Sequence, residues 1–132
     1  MRLALNDAKL SPEDIGVING HGTSTEFGDV TESQATYSLF GDKVPFHTLK
    51  GHFGHTLGAC GALEAWLGIE MMREGWFAPI ANLDEVDSKC APLHYIKKDI
   101  LKKNIEYFMS NNFAFGGINT SLIFRLYRKL GL

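Results

Sequence analysis

The short apolar run Ile15–Asn19 predicts a buried strand, because a run of this length between turn residues is typical of a strand covered on both faces. Three further strands are expected, at Val44–Thr48, Ile105–Met109 and Ile118–Leu126. The last two are joined by a segment rich in Asn and Gly, which predicts a hairpin.

One helix is predicted after each of the first two strands. The first is capped by Asp29 and ends near Phe40, and the second begins near Thr56 and ends near Arg73. The second helix carries few charges on any side, so we expect it to be buried on most sides. A chain of 132 residues can hardly cover such a helix completely, so part of its cover is expected from elsewhere. The order of the elements favours an α/β fold.

Three polar loops each follow a predicted strand, which is where functional sites of α/β sheets collect. They are NGHGTST at 19–25, KGHFGH at 50–55 and SNNFAFGGIN at 110–119. His21 stands between two glycines in the first loop, and His55 directly precedes the second helix. Two neutral imidazoles that converged on one carbonyl oxygen would stabilise a developing oxyanion. Either loop taken alone is better explained as a polar turn.

Composition and charge exclude several classes of function. The formal net charge is -2 and the isoelectric point is about 6.2, which does not suggest a nucleic-acid partner. No apolar run is long enough to span a membrane and no signal peptide is recognisable. The two cysteines form no disulfide or zinc framework, so a reduced, cytoplasmic protein is expected.

Two further patterns have more than one interpretation. A metal site could be proposed at His47, His52 and His55, but strand and turn geometry argues against the convergence of all three side chains. Cys60 could be a nucleophile beside His55. Its small neighbours favour burial as a small residue inside the helix instead.

Taken together and in order, three motifs resemble the C-terminal half of the β-ketoacyl-acyl-carrier-protein synthases, the condensing enzymes of thiolase fold. The motifs are HGTST, KGHFGHTLGACGALE and NNFAFGGIN, and the resemblance covers nearly the whole chain. It is closest to the elongating type with two catalytic histidines. The resemblance implies an α/β, thiolase-like fold: a mixed sheet with packed helices, one half of an αβαβα layered architecture, with residues 1–132 as a single C-terminal domain.

The resemblance also implies an activity, the decarboxylative Claisen condensation of malonyl-acyl-carrier protein with an acyl thioester in fatty-acid or polyketide-type chain elongation. It assigns catalysis to His21, His55 and Lys50. The assigned supporting network is Asp29, Glu32 and Glu64. Thr23 and Thr25 would contact the pantetheine arm and malonyl group, and Phe115 would be the gating residue.

For cofactors and partners, the resemblance implies the following. No cofactor is required, and some relatives hold a structural monovalent cation at positions matching Asn19, Glu32, Glu64, Ser110 and Asn111. The partners would be an acyl carrier protein that carries phosphopantetheine-linked groups, the N-terminal half of the same enzyme, and a second subunit. That subunit would make a homodimer, or a heterodimer of ketosynthase and chain-length factor.

The chain departs from the family pattern in two places that matter. Ala114 replaces the first glycine of the gating loop, which narrows the allowed backbone there. The nucleophilic cysteine of the family lies in the N-terminal half, and Cys60 occupies a position that is alanine in the family. The chain alone is therefore expected to be inactive. Two alternatives stay open: a chain-length factor, which is a silent partner of a ketosynthase, and a stand-alone interaction domain.

Overall fold

The computed structural model describes residues 1–127 and shows an α/β fold in which helices cover both faces of one sheet. The helices are α1 (Arg2–Ala8), α2 (Glu26–Phe40), α3 (Lys50–Phe53) and α4 (Cys60–Glu74), with 3-10 turns at Pro12–Asp14 and Leu57–Ala59. The strands are β1 (Ile15–Asn19), β2 (Pro45–His47), β3 (Trp76–Phe77), β4 (His94–Tyr95), β5 (Leu101–Lys102), β6 (Tyr107–Phe113) and β7 (Asn119–Arg125).

The main sheet is mixed, with the strand order β4-β2-β1-β6-β7. Strand β1 pairs in parallel with β2 and with β6, and β2 pairs in parallel with β4. Strand β7 returns antiparallel along β6 as the predicted hairpin. A separate antiparallel pair joins β3 to β5. The carboxyl ends of β2, β1 and β6 therefore lie side by side at one edge of the sheet.

The core consists of two apolar clusters on opposite faces of this sheet. Ile18 and Met109 belong to the first cluster, together with Phe40 from α2. Their strand neighbours Val17 and Phe108 belong to the second. Because successive strand residues point to opposite faces, β1 is buried on both sides. This explains why its sequence is a continuous apolar run rather than an alternating one.

Helix α4 packs across β6 at a glycine. A Cβ atom at Gly68 would overlap the ring of Phe108, which stacks between Phe77 and Phe124. The opposite side of the helix is open, and Trp66 is 58% exposed. Within residues 1–127, the helix is thus only partly covered, as its composition indicated. In the described part of the chain, no helix is both long and apolar enough to cross a membrane.

Several expected boundaries were wrong. Helix α2 begins at Glu26 after the N-cap Thr25, so Asp29 lies within its first turn instead of capping it. Lys50–Phe53 is a short helix rather than loop, and α4 proper begins at Cys60, after a 3-10 turn. Strand β6 continues to Phe113 because its polar end pairs residue by residue with β7, so the third loop is reduced to a short turn.

Candidate active site

The three predicted loops meet at the carboxyl edge of the parallel strands. The segment after β1 holds His21, the segment after β2 holds Lys50 and His55, and the end of β6 holds Asn112. The first two segments are tied together by a hydrogen bond from Gly20 N–H to the carbonyl oxygen of His47 (2.7 Å). The strand order therefore explains why residues far apart in sequence share one site.

His21 and His55 lie side by side at the centre of this edge. Their ring centroids are 5.5 Å apart and the rings are nearly perpendicular. The ring of Phe113 lies 6.0 Å from that of His21 on another side. Burial of His21, helped by the positive charge of Lys50, lowers the pKa of this imidazole and favours its neutral form.

A buried ion pair adjoins the histidines. Lys50 Nζ lies 2.5 Å from Glu64 Oε1, and the two side chains are 5% and 0% exposed. The same oxygen accepts the Cys60 thiol at 3.4 Å, and Glu64 Oε2 accepts Asn112 Nδ2 at 3.0 Å. A buried ion pair persists only when further hydrogen bonds satisfy both charges, and Glu64 has those further donors. Cys60 is buried as expected, and its thiol is directed to this carboxylate.

Glu32 on α2 holds the loop that carries His21. Its two carboxyl oxygens accept the backbone N–H groups of His21 (2.7 Å) and Gly22 (2.8 Å). Burial raises the pKa of Glu32 to about 7, although both backbone N–H groups oppose the shift. Gly22 has a φ of 41°, a conformation that favours glycine. Burial likewise raises the pKa of Asp29, one turn earlier on the helix.

The remaining expected residues lie at the rim of the site. Thr23 and Thr25 are joined through their hydroxyls at 3.0 Å. A cavity of about 140 Å³ is lined by Thr23, Lys50 and His55. A larger cavity, of about 390 Å³, lies beside Glu32 and Tyr95. Of these two cavities, the smaller one is lined by Lys50 and His55 and the larger one by neither, so we take the smaller as the candidate site; His21 lines neither cavity.

Phe115 is 97% exposed at the tip of the β6–β7 hairpin, followed by two glycines with positive φ. The gating role of this residue stays a prediction. The aromatic ring next to His21 is Phe113 instead. Sequence reasoning missed Phe113 and Asn112 because both were assigned to a loop. Recognising that β6 continues through these polar residues would have placed them at the site.

The five residues matched to a cation site are all buried, but the structure does not show a metal site there. Asn19 pairs across the sheet with Ser110, and Asn19 Oδ1 has no hydrogen-bond partner. Asn111 Oδ1 accepts the hydroxyl of Ser121 at 2.6 Å. Among residues 1–127, no cluster of three or more His, Cys, Asp or Glu side chains could hold a metal ion.

Two of the three histidines considered as a zinc site bind backbone carbonyl groups instead. His47 Nδ1 lies 3.1 Å from the carbonyl oxygen of Ala78, and His52 Nε2 lies 2.8 Å from that of Pro79. His47 is fully buried, and desolvation lowers its pKa to about 4. These two histidines hold the segment after β3 against the segment that carries Lys50 through hydrogen bonds. His55 lies beside His21 instead.

Comparison with known proteins matches residues 1–84 to the family described as β-ketoacyl synthase, C-terminal domain. A 3-oxoacyl-[acyl-carrier-protein] synthase 2 from Coxiella burnetii is 37% identical over 126 residues, covering 93% of this chain and 30% of the relative. The crystal structure of a β-ketoacyl synthase from Burkholderia phymatum is 62% identical with a TM-score of 0.95, covering 97% of this chain and 31% of that one.

A ketosynthase in complex with its chain length factor from Xenorhabdus doucetiae is 36% identical with a TM-score of 0.86; the match covers 93% of this chain and 31% of that one. The chain thus spans about 30% of the length of the curated relative it matches. These neighbours, together with the mixed sheet and its helices, confirm the thiolase-like fold class. The chain belongs to the β-ketoacyl synthase family, and the part of the family that it matches is the C-terminal domain.

Proposed function

We propose that this chain is the C-terminal part of an enzyme that condenses malonyl-acyl-carrier protein with an acyl thioester, with loss of CO2. The observation that carries the proposal is the pairing of His21 with His55, whose rings lie 5.5 Å apart at the carboxyl edge of parallel strands. The buried ion pair of Lys50 and Glu64 next to them gives the site a fixed charge arrangement.

The chemistry assigned to the site is stabilisation of an enolate. When a malonyl thioester loses CO2, the electron pair of the broken C–C bond moves onto the thioester carbonyl oxygen. A hydrogen-bond donor fixed beside that oxygen lowers the barrier because it binds the charge only as it develops. The carbanion then attacks the acyl thioester of the enzyme's cysteine, a new C–C bond forms, and the cysteine thiolate leaves. His55 and His21 would flank the malonyl thioester, with Lys50 organising the network.

The rim residues fit the same substrate. Thr23 lines the small cavity with Lys50 and His55, in a position to contact the pantetheine arm, and Thr25 is joined to it. Phe115 would gate the site, since the glycines after it adopt positive φ and leave its turn few side-chain constraints. Glu32 and Asp29 would support the loop of His21 from α2.

The nucleophile and the partners would come from outside residues 1–132. The curated relative is about three times longer than the match, and its name includes the acyl carrier protein. We propose that an N-terminal half supplies the cysteine and covers the exposed side of α4. The full protein would act on carrier-bound substrates as a homodimer or, like the Xenorhabdus ketosynthase, with a chain length factor.

A structural monovalent cation is part of the proposal. Asn19 Oδ1 is a buried oxygen without a hydrogen-bond partner, which a hard cation would satisfy. Asn111, Ser110, Glu32 and Glu64 would supply the other oxygens. Such an ion would hold the ends of β1 and β6 together, and no catalytic step requires it. No other cofactor is proposed.

The second candidate is a silent chain-length-factor-like subunit. This candidate fits the chain because neither cysteine is placed as a nucleophile, although the same is expected of the C-terminal part of an active condensing enzyme. Cys60 is buried and bound to Glu64, and Cys90 lines the larger cavity. The deciding residue would lie in the N-terminal half.

Intact-mass spectrometry separates these candidates. The polypeptide that joins this chain to its N-terminal half is incubated with an acyl-acyl-carrier protein, and the chain alone is treated in parallel. A condensing enzyme gains one acyl group upstream of residue 1 while the chain alone gains none. Absence of any adduct on the long polypeptide would favour the silent subunit, and an adduct on Cys60 would overturn the structural role given to that residue.

A further inference from the structure

A backbone hydrogen-bond donor fixes the ring of His55. The backbone N–H of Leu57 donates to His55 Nδ1 at 3.0 Å. A backbone N–H can donate only to a nitrogen that carries a lone pair, so neutral His55 has its proton on Nε2. The nitrogen of His55 that is left free is therefore a hydrogen-bond donor.

The ring of His21 is held by Asn112, and the direction of that bond depends on the amide. His21 Nδ1 lies 3.3 Å from Asn112 Oδ1. An amide can be turned over without changing its shape, so its oxygen must be identified from its other neighbour. That neighbour is Glu64 Oε2, 3.0 Å from Asn112 Nδ2.

The orientation of the Asn112 amide follows from its contact with Glu64, because a carboxylate paired with lysine only accepts hydrogen bonds. Its Oε1 is held by Lys50 Nζ at 2.5 Å, so Oε2 faces Asn112 as an acceptor. The NH2 group of Asn112 must point to Glu64, and its carbonyl oxygen must point to His21. His21 Nδ1 then carries the proton, and Nε2 is left with the lone pair.

Helix α4 lies close to this amide, since a Cβ atom at Gly61 would lie 3.4 Å from Asn112 Nδ2, at van der Waals distance. The chain of contacts therefore runs from the Lys50–Glu64 pair through Asn112 to His21.

We propose that Asn112 is a positioning residue that transmits the orientation of the Glu64 carboxylate to His21 and holds His21 in the tautomer opposite to that of His55. In catalytic terms, the inference rests on the proposed function. It corrects the expectation of two equivalent donors: His55 Nε2–H donates to the developing enolate oxygen, whereas His21 Nε2 accepts a hydrogen bond from the substrate side.

The test is nuclear magnetic resonance of the histidine ring nitrogens in the 132-residue chain, labelled on histidine and free of substrate. Protonated and lone-pair nitrogens have widely separated shifts, and the measurement is made well above the ordinary histidine pKa so that the rings are neutral. The expected wild-type spectrum has the proton of His21 on Nδ1 and that of His55 on Nε2. A wild-type His21 with its proton on Nε2 would overturn the proposal without any variant.

The variant Asn112→Leu removes the amide and keeps a side chain of similar size. We expect His21 to change from one tautomer to an average of both, while His55 keeps its own. The matched control is Ser121→Ala, which loses a hydrogen bond in the same hairpin without contacting His21, and it should leave both tautomers unchanged. An unchanged His21 signature in Asn112→Leu would contradict the role of Asn112.

This measurement is independent of condensing activity. If the tautomers are as stated but the long polypeptide releases no CO2 from malonyl-acyl-carrier protein, the proposed function fails and the role of Asn112 stands. If CO2 is released but both rings carry the proton on Nε2, the role of Asn112 fails and the proposed function stands.

Discussion

Replacement of Lys50 by methionine tests whether the ion pair at the centre of the site also holds the fold together. Glu64 is fully buried, and Lys50 is its cationic partner at 2.5 Å. Removing one member of such a pair leaves an uncompensated buried charge, which costs about 3–5 kcal/mol. The remaining donors, Cys60 and Asn112, are neutral and offset only part of that cost. We therefore expect Lys50→Met to lower the free energy of unfolding by several kcal/mol.

The chain offers a close control for this substitution. Lys89 pairs with Glu26 at the same distance, 2.5 Å, but the two side chains are 62% and 64% exposed. Exposed pairs contribute about 0–1 kcal/mol, so Lys89→Met should cost little. The difference between the two variants isolates the effect of burial from the loss of a lysine.

Urea unfolding, followed by the fluorescence of the two tryptophans, measures both variants under identical conditions. The double variant Lys50→Met/Glu64→Gln should recover part of the lost stability because the buried charge is gone. Equal, small losses in Lys50→Met and Lys89→Met would refute the reasoning. So would a double variant that is no more stable than Lys50→Met. A loss of activity in Lys50→Met has to be compared with this loss of stability before it is called catalytic.

Two further predictions concern packing and pH. Gly68→Ala should destabilise the chain by about 1–3 kcal/mol relative to Gly58→Ala, because the new methyl group at position 68 overlaps the confined ring of Phe108, whereas nothing lies within 4 Å of a methyl group at position 58. Urea unfolding of both variants measures the difference. Equal stabilities would contradict the close approach of α4 to β6. The pKa of His47 is lowered to about 4 from an ordinary 6.5, so the unfolded chain takes up this proton at a higher pH than the folded chain does. This contribution to stability is fully present above about pH 6.5, and about 3 kcal/mol is lost progressively as pH falls from about 6.5 to about 4. His47→Gln should remove this part of the acid sensitivity and the exposed control His94→Gln should not; identical pH dependence of unfolding in wild type and His47→Gln would be inconsistent with burial of a neutral imidazole.

The strands that carry an apolar signal could be predicted from the sequence, and the polar continuation of one of them could not. Ile15–Asn19 is a strand with the expected bounds. Strand β6 keeps its backbone pairing beyond Met109, where the side chains of Ser110, Asn111 and Asn112 are polar. A prediction based on hydrophobic period stops where the apolar side chains stop, and so assigns Asn112 and Phe113 to a loop.

The sequence predicted which loops meet at the site, but not the hydrogen bonds that join their residues. The proximity of His21 to His55 follows from placing both loops after strands of one sheet, and the structure brings them together. The contact of Asn112 with Glu64 joins residues 48 positions apart and depends on how α4 crosses β6. No local pattern encodes that crossing. The roles of His21, His55 and Lys50 stay predictions until activity is measured.

The most direct test of the central claim is the release of CO2 from malonyl-acyl-carrier protein by the polypeptide that joins this chain to the proposed N-terminal half. Wild type should release CO2, and His21→Ala and His55→Ala should each lose most of that release while the upstream cysteine still takes up an acyl group. His94→Ala, a substitution of an exposed histidine on β4, is the control and should behave as wild type. Undiminished CO2 release by both His21→Ala and His55→Ala would contradict the assignment of this histidine pair as the decarboxylation site.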